Sequence, residues 1–236
     1  MARQLTPAAR DTKAVDAPVR IGDTVRRAAG PNTELSHRIL RHLEDAGVGW
    51  APRALGVDEE GREILTWIPG ATVTTGQKID LAELTRMVRA LHDLTADFAP
   101  GHGCVIHDDL QPRNVVVRHG RPVGLIDWEQ ARPGRRVEDV ANLCWSFVEP
   151  TPQSDCSEVG ERWRAIADDY GLESRDDLVT TVLARMSKCA ADIVRGAAQG
   201  SVRHRRLAER GDHVMIRAMQ EWAGAREQAL RAAVRA

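Results

Sequence analysis

Residues 105–129 read VIHDDLQPRNVVVRHGRPVGLIDWE, and the fold is decided by what this stretch alternates. Val105-Ile106, Val115 to Val117 and Val123 to Ile126 are apolar runs too short for anything but strands. Between the first two lies a polar loop carrying Asp108, Asp109 and Asn114, and directly after the third stands Asp127. Taken singly, Asp127 reads as a turn or cap residue and Asp108-Asp109 as a solvated loop. Taken together, the acids and the amide suit phosphoryl transfer. That reaction needs a carboxylate by the attacking hydroxyl and oxygen ligands for magnesium by the phosphates.

Working outward, Val19 to Ala28 (VRIGDTVRRA) reads as two strands joined by a Gly22-Asp23 turn. Leu35, Ile39, Leu40 and Leu43 recur at helical spacing, with Thr33 as a cap and Gly47 as a stop. APRALGVDEEGREILTWIPG then gives strand, an Asp58-to-Gly61 turn, strand, and a break at Pro69-Gly70. Leu81, Leu84, Val88, Leu91 and Leu94 mark an amphipathic helix, and the chain from about Val137 onward is mostly helical. Residues 1–18 form a tail or a first strand, residues 19–67 a small strand-rich lobe, and residues 68–236 a larger helical lobe.

The loop HDDLQPRN resembles the HxDxxxxN catalytic loop of aminoglycoside phosphotransferases and choline kinases, relatives of the protein kinases, and IDWE resembles their metal-binding loop. VEDVANLCW resembles the segment whose Asp braces the catalytic loop. The likeness runs from about Val19 to the C-terminus and is most specific over residues 103–145. It implies a two-lobed, protein-kinase-like α+β fold. Asp109 would orient the acceptor hydroxyl and take its proton, while Asn114 and Asp127 would hold magnesium. His107 and Asp139 would support the loop. Thr66, Trp67 and Ile68 would form the hinge against which the adenine or guanine of ATP or GTP stacks, through backbone groups. Trp128 and Glu129, beside the metal loop, are candidates for the acceptor pocket.

The nucleotide side departs from the family pattern. Lys13, Lys78 and Lys188 are the only lysines, and none lies in a suitable strand. Arg26 in TVRRA is therefore the candidate phosphate-holding cation, with Arg27 on the opposite face by strand alternation. Glu34, Ser36 and His37 occupy the neighbourhood where relatives carry a helix Glu, and no glycine-rich loop precedes Val19. Asp108 stands where relatives commonly have Gly, and the motif gives it no role.

The remaining features narrow the field. Lys plus Arg total 33 and Asp plus Glu 34, a formal charge of -1, which gives no general attraction to nucleic acid or an anionic membrane. The basic cluster Ser201–Arg210 has no interleaved aromatic and reads as a solvated helix face. Four scattered cysteines and no apolar run of about 20 residues point to a soluble, cytoplasmic chain. Acids after Trp145 suit a cationic acceptor. The expected function is magnesium-dependent phosphorylation of a small hydroxylated molecule such as an antibiotic or amino sugar. The alternative is a weak or inactive kinase-fold protein serving binding, immunity or regulation.

Overall fold

The structure, a computed structural model, describes residues 18–74, 76–98, 101 and 103–236. The expected tail or first strand, residues 1–18, thus lies outside the described residues apart from Pro18.

The small lobe is an antiparallel sheet of β1 (Val19–Ile21), β2 (Thr24–Ala28), β3 (Ala54–Val57) and β4 (Arg62–Thr66), in the order β1-β2-β4-β3. Ile21 pairs with Thr24, so only Gly22 and Asp23 make the first turn, and Gly22 takes φ +60 there. The second turn is built by Asp58, whose side chain accepts from the N–H groups of Glu60 and Arg62. Helix α1 (Thr33–Asp45) crosses between β2 and β3, its N-cap being Asn32 rather than Thr33. Strand alternation sorts the sheet into two faces. Val25 pairs with Leu65 and Arg27 with Glu63 on the face turned toward α1, while Arg26 pairs with Ile64 on the other. Glu63 is 2% exposed and His37 of α1 reaches it, which fixes that face as the inner one.

The large lobe begins with β5 (Ala71–Thr72) and α2 (Leu81–Leu94), then β6 (Cys104–Ile106), β7 (Val115–Arg118), β8 (Arg121–Leu125) and β9 (Arg132–Gly134). Two small sheets result, β5-β7-β8 and β6-β9. Strands β5 and β9 are additions to the sequence reading, too short to register as apolar runs. β5 explains Gly70: a Cβ there would lie 2.5 Å from Val116 Cγ1 and 2.8 Å from the Val117 carbonyl oxygen, so only glycine lets the chain approach β7.

Helices α3 (Arg136–Val148), α4 (Cys156–Tyr170), α5 (Leu178–Ala198), α6 (Val202–Glu209), α7 (Asp212–Gly224) and α8 (Glu227–Arg235) complete the lobe. The architecture is α+β, antiparallel sheets followed by a mostly helical part. Leu84, Leu143, Trp163, Val182 and Met186 pack in one core, and Gly160 lets α4 and α8 touch at Ala233. α6 buries none of its residues. α5 starts after Asp177, without a side-chain cap. All four cysteines are free. No helix among the described residues is long and apolar enough to cross a membrane.

The lobes meet where Leu125 N–H donates to the Trp50 carbonyl (2.8 Å) and where Ile68 fills the space over Gly124. These contacts place the inner face of the small sheet above the loops that follow β6 and β8.

Candidate active site

Strand β6 is wholly buried and delivers the chain to His107. The His107 ring is inaccessible to solvent, packs at a tilt against Trp128 with ring centres 4.8 Å apart, and donates from Nε2 to the Ile126 carbonyl (3.1 Å). The next peptide turns through left-handed space, with Asp108 at φ +61. Asp139, at the start of α3 and fully buried, takes both N–H groups of this turn, His107 at 2.7 Å and Asp108 at 3.0 Å. Burial works against its charge. The hydrogen bond and attraction of His92, the attraction of His107 and the His107 N–H outweigh burial and hold the Asp139 carboxyl below the usual range.

Asp109 follows, with a side chain 13% exposed. Its Oδ1 accepts from Gln111 Nε2 (2.6 Å), and its Oδ2 from Asn114 Nδ2 (2.9 Å) and Arg113 Nη2 (3.1 Å). Asn114 also donates to the Asp109 carbonyl (2.8 Å), so its amide nitrogen is spent on Asp109 and its amide oxygen is the atom able to ligate a metal. The Asn114 carbonyl in turn accepts the Ile126 N–H at 2.9 Å. Ile126 is therefore gripped on both sides, by Asn114 through its N–H and by His107 through its carbonyl. The β7–β8 hairpin, Val115 opposite Leu125, closes the distance between the two motifs. Asp127, one residue on and in left-handed conformation at φ +66, is thereby set beside Asn114.

From above, Arg27 donates to Asp127 and to Glu63, and Glu63 accepts in addition from His37 Nε2 (3.0 Å). Burial would lower the Arg27 pKa, but attraction to Glu63 and the bond to Asp127 outweigh it, so the pKa is raised. Arg26 is directed elsewhere, to Thr24 Oγ1 (2.8 Å) and toward Asp58 (3.7 Å). The expectation that Arg26 faces the site is corrected by one step in strand parity: Val25, opposite the buried Leu65, and Arg27, opposite the buried Glu63, share the inner face. The carboxylate that pairs with Arg27 from the small lobe, Glu63, stands on β4 and not on α1. α1 contributes His37 to that carboxylate, and its Ser36 hydroxyl ties down the Trp128 carbonyl at 2.9 Å.

Two further expectations change. Trp128 has no accessible surface and donates Nε1–H to the Leu125 carbonyl (2.9 Å), so it belongs to the core and walls no pocket. Glu129 is exposed, and its carbonyl accepts from Asn32 at the start of α1 (3.1 Å), which puts it at the lobe junction. At the residues expected to form the hinge, the Thr66 N–H goes to the Arg53 carbonyl and the Trp67 N–H to the Asp23 carbonyl (2.8 Å), while Arg20 lies 4.6 Å over the Trp67 ring. A base that docks there uses other groups than those two N–H donors.

Asp108 acquires the partners that the motif did not supply. Arg132 Nε binds one carboxylate oxygen (2.7 Å), Arg185 Nη1 the other (2.6 Å), and Arg185 Nη2 the carbonyl (2.9 Å). Arg185 lies on α5, so that helix walls the side of the loop where Asp109 projects. Consistently, the Cys189 thiol one turn along is pushed up first by burial and then by the charges of Asp192 and Asp109.

The donor set fits magnesium. Among the described residues no cluster of three or more His, Cys, Asp or Glu could hold a metal by itself. Asp127 and Asn114 offer two hard oxygen ligands, the usual protein share for an ion otherwise held by water and phosphates.

The family model described as APH, phosphotransferase enzyme family, matches residues 96–177. The trifolitoxin immunity protein of Rhizobium leguminosarum bv. trifolii is 35% identical over 184 residues, 66% of this chain and 70% of that protein. Among solved structures, spectinomycin phosphotransferase APH(9)-Ia in complex with ADP and spectinomycin superposes with a TM-score of 0.60 at 12% identity, covering 87% of this chain and 85% of that one. Choline kinase LicA from Streptococcus pneumoniae superposes with a TM-score of 0.54 at 16% identity over 80% and 85% of the two chains.

Proposed function

This chain belongs to the APH phosphotransferase enzyme family, and on that premise we propose that it transfers the terminal phosphoryl group of ATP or GTP to a hydroxyl of a small molecule, with magnesium. The observation that carries the proposal is the double grip on Ile126, which sets Asp127 beside the Asn114–Asp109 pair.

In this reading the acceptor hydroxyl docks against Asp109, on the side walled by α5. Asp109 accepts three side-chain donors, two on Oδ2 and one on Oδ1, which leaves Oδ1 a lone pair for the acceptor hydroxyl. The new bond joins the acceptor oxygen to phosphorus, the bond to the bridging phosphate oxygen breaks, and the proton ends on Asp109. Arg27 supplies fixed positive charge on the nucleotide side. Asp127 and Asn114 would hold magnesium, which when bound neutralises charge developing on the phosphates. The acids that follow Trp145 in the sequence favour a cationic acceptor, an amino sugar or amine-bearing antibiotic.

A second reading is favoured by the 35% identity to an immunity protein and by the engagement of Asp127 with Arg27: the fold binds its target without modifying it. A transfer assay separates the two. Labelled terminal phosphate from ATP and GTP is offered with a panel of amine-bearing hydroxylated acceptors and with trifolitoxin. Transfer to any acceptor supports the phosphotransferase, and target binding without transfer supports the second reading.

A further inference from the structure

The catalytic loop is held by Asp139, but two of the donors to Asp139 are the loop's own N–H groups, so they cannot define where the carboxylate sits. The remaining donor is His92 of α2, whose Nε2 lies 3.1 Å from Asp139 Oδ2. The Nδ1 of His92 is in turn 2.7 Å from the hydroxyl of Tyr170, the last residue of α4. His92 and Asp139 have no accessible surface and Tyr170 has 2%, so bulk solvent does not reach these bonds. Asp139 as a carboxylate only accepts, hence His92 Nε2 donates. Burial pushes the Tyr170 phenol up to about 12, so it keeps its proton and stays a neutral hydrogen-bonding partner of Nδ1. At the outer end Arg136 Nη1 approaches the Tyr170 oxygen (3.3 Å), and Arg89 covers its ring at 5.4 Å.

We infer that Tyr170 and His92 are positioning residues for the proposed reaction: they lock the rotation of the Asp139 carboxylate and so convert the packing of α2 against α4 into the placement of Asp109. Neither touches the reacting atoms. Their effect is geometric, and small displacements matter because a misplacement of roughly 1 Å costs about a hundredfold in rate. α2 holds strand β6 separately, through the Thr95 hydroxyl that accepts the Val105 N–H (3.0 Å). Val105 is thus an internal reference that the relay does not control.

The kinetic part of this inference rests on the phosphotransfer reading, and the structural part does not. The test compares the full chain with Tyr170→Phe and His92→Gln by hydrogen exchange resolved at single amides, alongside kcat and KM for the nucleotide. Tyr170→Phe leaves His92 Nδ1 buried without its hydrogen-bonding partner. Exchange at His107 and Asp108 should rise about tenfold, the scale of one lost buried hydrogen bond, while Val105 keeps its wild-type rate. kcat should fall by a similar factor with KM for the nucleotide unchanged. Wild-type exchange at His107 and Asp108 in both variants would overturn the inference. So would acceleration that extends equally to Val105 and α2, since that is general loosening. If the unmutated chain transfers no phosphate, the exchange pattern still decides the relay and the functional reading fails by itself.

Discussion

The two halves of the cleft are assembled in opposite ways. Below, everything from His107 to Asp127 comes from one stretch of chain, stitched by backbone bonds through Ile126 and braced by one buried carboxylate. Above, Arg27, Glu63 and His37 come from three elements and meet only because β2 and β4 pair in one register. The lower half is set by local sequence, and the upper half by tertiary structure. Geometry that one segment dictates depends on the rest of the fold only through its braces, here Asp139 with His92 and Tyr170, whereas an ion cluster spread over a sheet and a helix depends on every element that carries it.

The largest effect expected from this contrast is on turnover. Asp109→Asn keeps shape and the local hydrogen bonds but removes the proton acceptor, so phosphoryl transfer should fall by at least about 10²-fold while nucleotide affinity survives. Equal turnover in a transfer assay would break the division of labour between Asp109 and Asp127.

Next comes Asp139. Its folded-state pKa is lowered, so its stabilisation is fully present above the ordinary carboxylate range near pH ~4 and is lost as pH falls through the lowered value. Asp139→Asn should cost about 3 kcal/mol at neutral pH, the scale of breaking a buried charged network. Melting of both proteins from pH 7 to pH 3 should show the gap between them closing on the acid side. A gap independent of pH would mean that the Asp139 charge contributes nothing.

Asp108 follows. Asp108→Gly relieves the left-handed strain, worth about 1 kcal/mol, but leaves Arg185 without its carboxylate, a loss of about 3 kcal/mol for a largely buried pair. The net expectation is a destabilisation of about 2 kcal/mol by chemical denaturation. The family pattern alone, with Gly at this position, predicts no loss.

The smallest effect is expected in the upper half and concerns parity. Arg26→Ala, on the outer face, should change stability by less than about 0.5 kcal/mol and leave nucleotide affinity untouched. Arg27→Ala should weaken nucleotide binding severalfold in calorimetry. The reverse result would restore the sequence-based choice of Arg26.

These expectations also mark what the sequence made legible. The order of elements, both hairpins of the small lobe and the helix from Leu81 to Leu94 could be read because apolar periodicity and turn residues are local signals. Asp109, Asn114 and Asp127 could be read because their spacing is fixed by one loop and one hairpin. Arg27 was within reach, since an inward Val25 implies an inward residue two positions on. Glu63, His92, Tyr170 and Arg185 were not: each acts on a residue at least 26 positions away, and nothing around them announces the partner. Trp128 misled because adjacency to Asp127 in sequence says nothing about which way a side chain turns after a left-handed residue.

The central claim, that Asp127 and Asn114 form a magnesium site completed by nucleotide phosphates, is tested most directly by calorimetric titration of ATP and GTP into the full chain and into Asp127→Ala, each with and without magnesium. Magnesium should tighten nucleotide binding to the unmutated chain and make no difference to Asp127→Ala. Nucleotide affinity in the unmutated chain that is the same with and without magnesium would contradict the account.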